Sequence, residues 1–497
     1  AAPMATNPSG HADGGTIDEP EGQDDQALLN MISETARKSK YNNSKRGTKA
    51  DGHKANEGSD AEAAAEKFSK RPSFFCACGG PPSAVATKDR DENLIRDGTS
   101  KVSYSILHLV GEGGFSKVLL VRAKSGHLSE RNEGVYAAKI IPKSHLKSAG
   151  ESFVKATMLE RNILGKFNHP FLLKLYHSFQ ERDRLILVVD YCPGGSLHTH
   201  VNISLREAGG GFSESRSAFY VAEIALACAH LHLHGIVHRD LKLENVLMHA
   251  SGHCAVSDFG ASKRLKPPAA GDCRARGQPS SVEELRESHS DRSSFASGAT
   301  PPDALAAQTR SIVGTPAYMA PEMLLAQPYD FAVDWWALGV LLFTMLKGRL
   351  PFDAAEEDKM LWRIVKSKPR YDAAWSQPML DVLRALLQKR PKTRLCSLKA
   401  LAEQPLFCRM EWQKLERLQL APPYVPSLSK DDDRRYVPRR IAETAVPSMA
   451  LEYKKGDSMK KLFRKFSHRS SFEGNDPNGT PASPPKAKAP KADAQQR

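Results

Sequence analysis

The chain has 497 residues with 71 Lys and Arg against 57 Asp and Glu, a formal charge of +14. That length allows two to four domains, or one large domain with tails, and the charge favours acidic partners without choosing among phosphorylated ligands, anionic membrane and nucleic acid. The eight cysteines are scattered, with Cys76 and Cys78 too close for a C-x-x-C metal site, which fits a reducing compartment, cytoplasmic or nuclear, better than a disulfide scaffold. No basic-then-apolar leader opens the sequence, and the longest strongly apolar run, 335–346, is shorter than the roughly 18 residues of a membrane span.

Residues 1–100 are rich in Ala, Gly, Ser, Asp and Lys and read as mostly disordered. One helix is expected at 26–38, with Leu28, Leu29 and Ile32 on one face. Phe74, Phe75, Cys76 and Cys78 form an apolar patch that could dock or be lipidated, although an ordinary tail is the preferred reading. Order is expected from Tyr104. Residues 104–110 alternate as a strand, and 119–122 resume one. Between them, Gly111, Glu112, Gly113, Gly114, Phe115, Ser116, Lys117 and Val118 follow G-x-G-x-x-G-x-V with Ser116 in the third glycine's place. Such glycines let backbone N–H groups approach phosphates. A strand follows, not a helix, which disfavours a dinucleotide-binding fold.

Residues 135–141 read as the next strand, with Lys139 the one charge in an apolar run. Residues 151–166 have helical periodicity, and Glu160 is the natural ion-pair partner for Lys139; the plainer alternative is a solvated glutamate. Residues 172–176 and 185–191 read as a strand pair, followed by a hinge through Asp190, Cys192 and Gly194. Ser213 suits an N-cap for a helix ending at His234, where Gly235 stops it.

Then His238, Arg239, Asp240, Leu241, Lys242, Leu243, Glu244 and Asn245 spell H-R-D-L-K-x-x-N. Each type suits transfer of a phosphoryl group to a hydroxyl. Asp240 can orient the hydroxyl and accept its proton, Lys242 can offset charge on the phosphoryl, and Asn245 offers a neutral oxygen to a divalent cation. Residues 246–248 and 254–256 flank a Ser251-Gly252 turn as a hairpin. It delivers Asp258, Phe259 and Gly260, a D-F-G placing a magnesium ligand. Residues 265–308 lack periodicity and read as a disordered insertion. Ala320, Pro321 and Glu322 close the set. Asp334 begins a buried helix, 379–388 is amphipathic, and Arg394 is a candidate buried partner for Glu322.

With these motifs in order, residues 104–407 resemble a eukaryotic protein-kinase catalytic domain, and Lys242 resembles the serine/threonine type. Glu160, Arg161, Asn162, Ile163 and Leu164 followed by His169, Pro170 and Phe171, and the run 333–339, resemble the AGC group. So do 412–415, 422–426 and the hydrophobic motif Phe463-x-x-Phe466-Ser467-His468, nearest the ribosomal-protein-kinase and protein-kinase-B-like branch. The resemblance implies a bilobal α+β fold: a small β-rich lobe, a larger helical lobe, and an AGC-type tail over 408–497, largely disordered. It implies ATP and Mg2+ as cofactors. The nucleotide would meet Val110 through Val118, Ala137, Lys139, Glu160, the Asp190 and Cys192 backbone, Glu244, Asn245, and Leu247 beneath adenine, with magnesium on Asn245 and Asp258.

The same resemblance makes Asp240, Lys242 and Lys139 catalytic, and Glu244 a contact for a substrate arginine, so the expected partners are proteins with basic residues near Ser or Thr. Ser311 would be the activation phosphosite, held by Arg239 and Lys263 and set by an upstream kinase, with Thr309 the rival and Thr315 bonded near Asp240 and Lys242. Phe463 and Phe466 would insert beside the Glu160 helix, strengthened by phosphate on Ser467. The basic stretch 454–469 reads as a solvated tail, with a tether to anionic membrane as the other reading; no specific nucleic acid is expected. His238, Leu243, Ala317 and Ser196 depart from the group's usual Tyr, Pro, Glu and acid. The alternatives are a calmodulin-dependent-like kinase and a weak pseudokinase scaffold; intact Lys139, Asp240, Asn245 and Asp258 weigh against the second.

Overall fold

The computed structural model describes residues 23–44, 94–97, 102–114, 116–125, 134–267, 307–445, 463 and 465–469. Phe115, the 74–78 patch, residues 268–306 of the expected insertion, most of the basic stretch 454–462 and the chain beyond 469 lie outside them.

The small lobe is a seven-stranded antiparallel sheet in the order β1-β2-β3-β4-β6-β5-β11. Its strands are β1 (Leu94–Arg96), β2 (Ser103–Glu112), β3 (Lys117–Ser125), β4 (Val135–Pro142), β5 (Leu175–Gln180), β6 (Arg184–Asp190) and β11 (His468–Arg469). Alternation on β2 buries Tyr104, Ile106 and Leu109, which share a core with Leu119, Val121, Ala138 and Val188. The other face packs on helix α3 (Glu151–Lys166), which follows the short α2 (Lys143–Ala149) and buries Val154, Glu160, Ile163 and Leu164.

The large lobe is built on two helices apolar on nearly every side. Helix α5 (Glu214–Leu233) carries Ala222, Ala225, Cys228 and Ala229, whose small side chains let neighbours approach closely. It packs against α7 (Ala332–Lys347), where Trp335, Trp336, Leu338 and Leu341 are buried. Ser213 caps α5 by accepting from Arg216 N–H at 3.3 Å. Around this pair lie α4 (Leu197–Ala208), α6 (Pro321–Leu324), α8 (Glu357–Lys366) and α9 (Gln377–Leu386). Strand β7 (Ile236–Val237) pairs with β10 (Lys263–Arg264), and β8 (Val246–Met248) pairs with β9 (Cys254–Val256). The short helices α10 (Leu398–Ala402), α11 (Trp412–Glu416) and α12 (Arg439–Ala442) complete the set. Among the described residues no helix is long and apolar enough to cross a membrane.

Four segments differ from the sequence reading. Strand β5 starts at Leu175, not Leu172. Leu172 and Leu173 owe their burial to a loop that bridges β9, where Leu173 N–H donates to the Val256 carbonyl at 3.0 Å. Leu265, read as the start of the insertion, is buried and donates its N–H to the Gly235 carbonyl at 2.8 Å. Residues before Tyr104 contribute β1, which was not expected, while the helix expected at 26–38 is present and longer, as α1 (Gln23–Ser44), and seats Ile32 and Ala36 in the large-lobe core. Residues 408–445 are ordered: Leu415 and Tyr436 are buried, and α12 lies on β2.

Candidate active site

The β2–β3 hairpin carries Val110, Gly111, Glu112, Gly113 and Gly114 on one side and Ser116, Lys117 and Val118 on the other. Gly111 pairs with Val118, and Gly113 N–H donates to the Ser116 carbonyl at 2.8 Å, closing the turn. Below it, β4 and α3 present Lys139 and Glu160, with Nζ 2.6 Å from Glu160 Oε1 and 3.1 Å from Asp258 Oδ1. Burial alone would lower the ammonium's pKa, but Asp258 and then Glu160 outweigh it and hold the pKa raised. Lys139 in turn pulls Asp258 down to about 2. Glu160 is shifted up, because burial exceeds what Lys139 returns.

Asp240 sits opposite. Thr315 Oγ1 donates to its Oδ1 at 2.7 Å and Lys242 Nζ to its Oδ2 at 2.8 Å, and Lys242 reaches Thr315 Oγ1 at 2.8 Å. Asn245 Nδ2 donates to the Asp240 carbonyl at 2.8 Å. The loop's shape is imposed from beneath. Buried Asp334 accepts from the N–H groups of His238 at 2.8 Å and Arg239 at 2.9 Å, and pairs with His232 Nε2 at 2.8 Å. Burial disfavours its charge, yet His232 and these donors hold its pKa lowered. Arg239 takes a left-handed φ of 70°, a costly conformation sustained by its bonds to Asp334. Gly314 has φ 107°, and a Cβ there would meet the Arg239 carbonyl at 2.4 Å, so only glycine brings Thr315 in to Asp240.

At the hinge, Asp190 N–H donates to the Lys174 carbonyl at 3.1 Å, and its carboxylate accepts from Tyr176 OH at 2.7 Å. Cys192 is buried, and its carbonyl accepts from Gly195 N–H at 3.0 Å. Ala137 is buried, and Val118 and Leu247 are half-buried, none of them lining the innermost part of the cleft. Its inner walls bring Gly113, Ser116, Lys139, Glu160, Asp240 and Asp258 together. Glu244 points outward, 47% exposed, with His198 Nε2 at 4.0 Å.

The other expected residues form two further groups. Arg239 Nη1 donates to Ser311 Oγ at 2.6 Å, Lys263 Nζ to Thr309 Oγ1 at 2.7 Å, and the two hydroxyls lie 3.0 Å apart. Ser311 is exposed and Thr309 buried. Burial, and then the repulsion of Arg239, lower the Lys263 pKa. On the small lobe, Phe463 and Phe466 are fully buried. Gln180 Nε2 donates to the Phe463 carbonyl at 2.9 Å, Ser178 Oγ to that of Phe466 at 2.7 Å, and Arg161 to those of Lys465, Phe466 and Ser467. The Ser467 side chain is exposed. Glu322 and Arg394 form the expected buried pair, bidentate at 2.6 and 2.9 Å.

Sequence reasoning missed the middle of the tail. Tyr191 OH donates to the Asp433 carbonyl at 2.6 Å, and Arg122 lies 3.7 Å from Asp432. Tyr436 closes over Gly195, where a Cβ would meet it at 2.8 Å, and its ring lies tilted against that of His200, with centroids 4.8 Å apart. The acidic run Asp431-Asp432-Asp433 before a tyrosine was the available signal.

A two-lobed cleft that aims a lysine–carboxylate pair and an oriented aspartate at one point is a phosphoryl-transfer site. Residues 104–407 match the family described as protein kinase domain. The chain is 33% identical over 371 residues to the RAC family serine/threonine-protein kinase homolog of Dictyostelium discoideum, covering 74% of this chain and 72% of that one. It is 32% identical over 377 residues to serine/threonine-protein kinase sgk-1 of Caenorhabditis elegans, 74% and 71% respectively. Against protein kinase C eta type of Homo sapiens it is 34% identical over 351 residues, 69% of this chain and 44% of the relative. The chain belongs to the protein kinase family and is a serine/threonine protein kinase of AGC type, using ATP and Mg2+.

The residues present fit that cofactor. Asp258 is held ionised, with 48% of its side chain exposed to the cleft. Asn245 spends its amide N–H on Asp240 and so leaves its oxygen for a cation. Among the described residues no cluster of three His, Cys, Asp or Glu could hold a metal alone. When bound, ATP would supply the phosphoryl group and Mg2+ would offset its negative charge.

Proposed function

We propose that the kinase phosphorylates Ser or Thr in proteins with an upstream arginine, and that phosphate on Ser311 switches it on. Asp240 orients the attacking hydroxyl and accepts its proton, Lys242 offsets charge on the phosphoryl, and Lys139 positions the α and β phosphates. Asn245 and Asp258 would hold magnesium. Glu244 supports the arginine preference through a charge-assisted pair. Ser196, a serine whose hydroxyl caps α4 by accepting from Thr199 N–H at 3.3 Å, adds no second carboxylate, so the preference is modest.

The observation that carries the switch is the contact of Arg239 with Ser311 at 2.6 Å. A phosphate there would bring roughly −1.5 to −2 charge to a site where two cations already face each other. It would tie the activation segment to the residue next to Asp240. Exposure favours Ser311 over buried Thr309 as the target of an upstream kinase. The buried thiols Cys192, Cys228 and Cys254, outside any disulfide, support a cytoplasmic or nuclear setting. The docked motif at 463–469 takes part of the basic stretch out of contention as a membrane tether, which leaves the solvated-tail reading preferred.

The test is kinetic. Phosphatase-treated wild type and Ser311→Ala are expected to turn over at least tenfold more slowly than the Ser311-phosphorylated enzyme, and an arrayed peptide library is expected to favour upstream arginine. Full activity of dephosphorylated Ser311→Ala removes the switch, and a library preferring acidic contexts removes the substrate assignment.

A further inference from the structure

Helix α1 is seated against α8 and α6 on the large lobe. Its ends are matched by charge: Asp25 Oδ1 lies 3.2 Å from Lys366 Nζ and Arg37 Nη2 lies 3.7 Å from Asp358 Oδ2. The early residue of each helix meets the late residue of the other, so α1 and α8 run antiparallel. Asp358, Trp362 and Lys366 stand four apart on α8, hence in one row, and Trp362 faces the neighbour that its two row-mates bind. Leu28, Ile32 and Ala36 make the corresponding row on α1, with Ile32 fully buried.

The fit is incomplete. Trp362 is 4% exposed, yet among the described residues its indole Nε1 has no hydrogen-bond partner, and neither does the buried Ser33 Oγ of α1. A buried donor without an acceptor is costly. The charged pairs at the ends are largely exposed, so they set direction more than strength. Helix α1 therefore covers this face through shape, one large side chain and its tether to the rest of the chain, and leaves polar demand unmet.

The covered face adjoins the catalytic segment. Helix α8 also contacts α6 and the turn Pro316–Tyr318, which directly follows Thr315, the residue bonded to Asp240. A helix bound there sits beside the segment that receives the protein to be phosphorylated. We propose that the α8–α6 face is a docking site for an amphipathic helix on protein substrates and that α1 is its removable occupant in cis. The fitting helix has an apolar stripe at i, i+4 and i+8, an acid near its start, a base near its end and an acceptor for Trp362. Competition from α1 raises the KM of substrates that dock here and leaves short peptides unaffected.

The experiment uses the full chain, wild type and Ile32→Glu, with a fluorescein-labelled peptide of residues 23–44 as the probe. The probe is expected to bind Ile32→Glu at least tenfold more tightly than wild type, because the face is uncovered. A probe itself carrying Ile32→Glu is expected not to bind. A short arginine-containing peptide substrate is expected to keep its kcat/KM within twofold in both proteins. The same substrate joined through a Gly/Ser linker to residues 23–44 is expected to show a KM at least fivefold lower with Ile32→Glu enzyme than with wild type. Equal probe binding by the two proteins, binding by neither, or retained binding of the substituted probe overturns the occupancy. An unchanged KM for the joined substrate overturns the docking role. Should Ile32→Glu lower the thermal midpoint of the catalytic domain, the exposed Arg37→Glu change gives the same readouts with smaller expected shifts.

Discussion

Arg161 Nε donates to the Phe466 carbonyl at 2.9 Å, joining residues 305 positions apart. Arg161 is the neighbour of Glu160 on α3, and Glu160 holds Lys139 at 2.6 Å. The docked motif is thus two residues of helix and one ion pair away from Lys139.

Phe466→Ala tests that linkage. A buried Phe→Ala change removes roughly 3–5 kcal/mol of packing, enough to release the motif from a site it reaches by tether. The expected result is at least a tenfold fall in kcat/KM and faster hydrogen exchange across 158–164, with Asp240 and Thr315 untouched. Unchanged activity and exchange would show that the docked motif does not support α3.

The Glu322–Arg394 pair predicts a stability effect separate from chemistry. Both side chains are almost wholly buried and the pairing is bidentate. Glu322→Gln leaves the guanidinium without its countercharge, a change costing roughly 3–5 kcal/mol. The urea midpoint should fall accordingly. The kcat of the folded fraction should stay near wild type, because neither residue enters the cleft.

The tail's clasp on the hinge should depend on pH. His200 lies between Tyr424 and Tyr436 and donates Nε2–H to the Gly194 carbonyl at 2.7 Å. Burial, opposed by that bond and aided by Arg216, depresses its pKa to about 4. The unfolded chain therefore binds a proton that the folded chain refuses. Stability is fully present above the ordinary histidine value, is lost as pH falls from about 6.5 toward 4, and levels off below, a total of at most roughly 3 kcal/mol. Urea midpoints at pH 7.5, 6 and 4.5 should fall more steeply for wild type than for His200→Gln. Parallel slopes would assign the acid sensitivity elsewhere.

The catalytic elements were legible because their chemistry forces residue types into fixed order. Lys139, Asp240, Asn245 and Asp258 must be charged or polar in an apolar setting, and Gly314 must clear the Arg239 backbone. Helix α3 was legible from Glu151 to Lys166, since its buried residues recur at helical spacing even though Thr157 and Glu160 interrupt the apolar run. Segments held by a few long-range contacts were not. Strand β1 is three residues long, and the stretch 422–445 is fastened at single points such as Tyr191, Arg122 and His200, so neither has a period to read. Leu172 and Leu173 misled because a buried loop and a strand show the same apolar run. At α1, the apolar stripe announced a helix, while its partner face lies more than three hundred residues away in sequence.

The assignment of roles in the cleft is tested most directly by transfer of labelled γ-phosphate to an arginine-containing serine peptide, with wild type, Asp240→Asn, Asp258→Asn and Lys139→Met compared after confirming equal folding. Removing the base is expected to cost about 10²–10⁴-fold in rate. Comparable or larger losses are expected where magnesium or phosphate positioning is removed. Turnover within tenfold of wild type in all three would contradict the account.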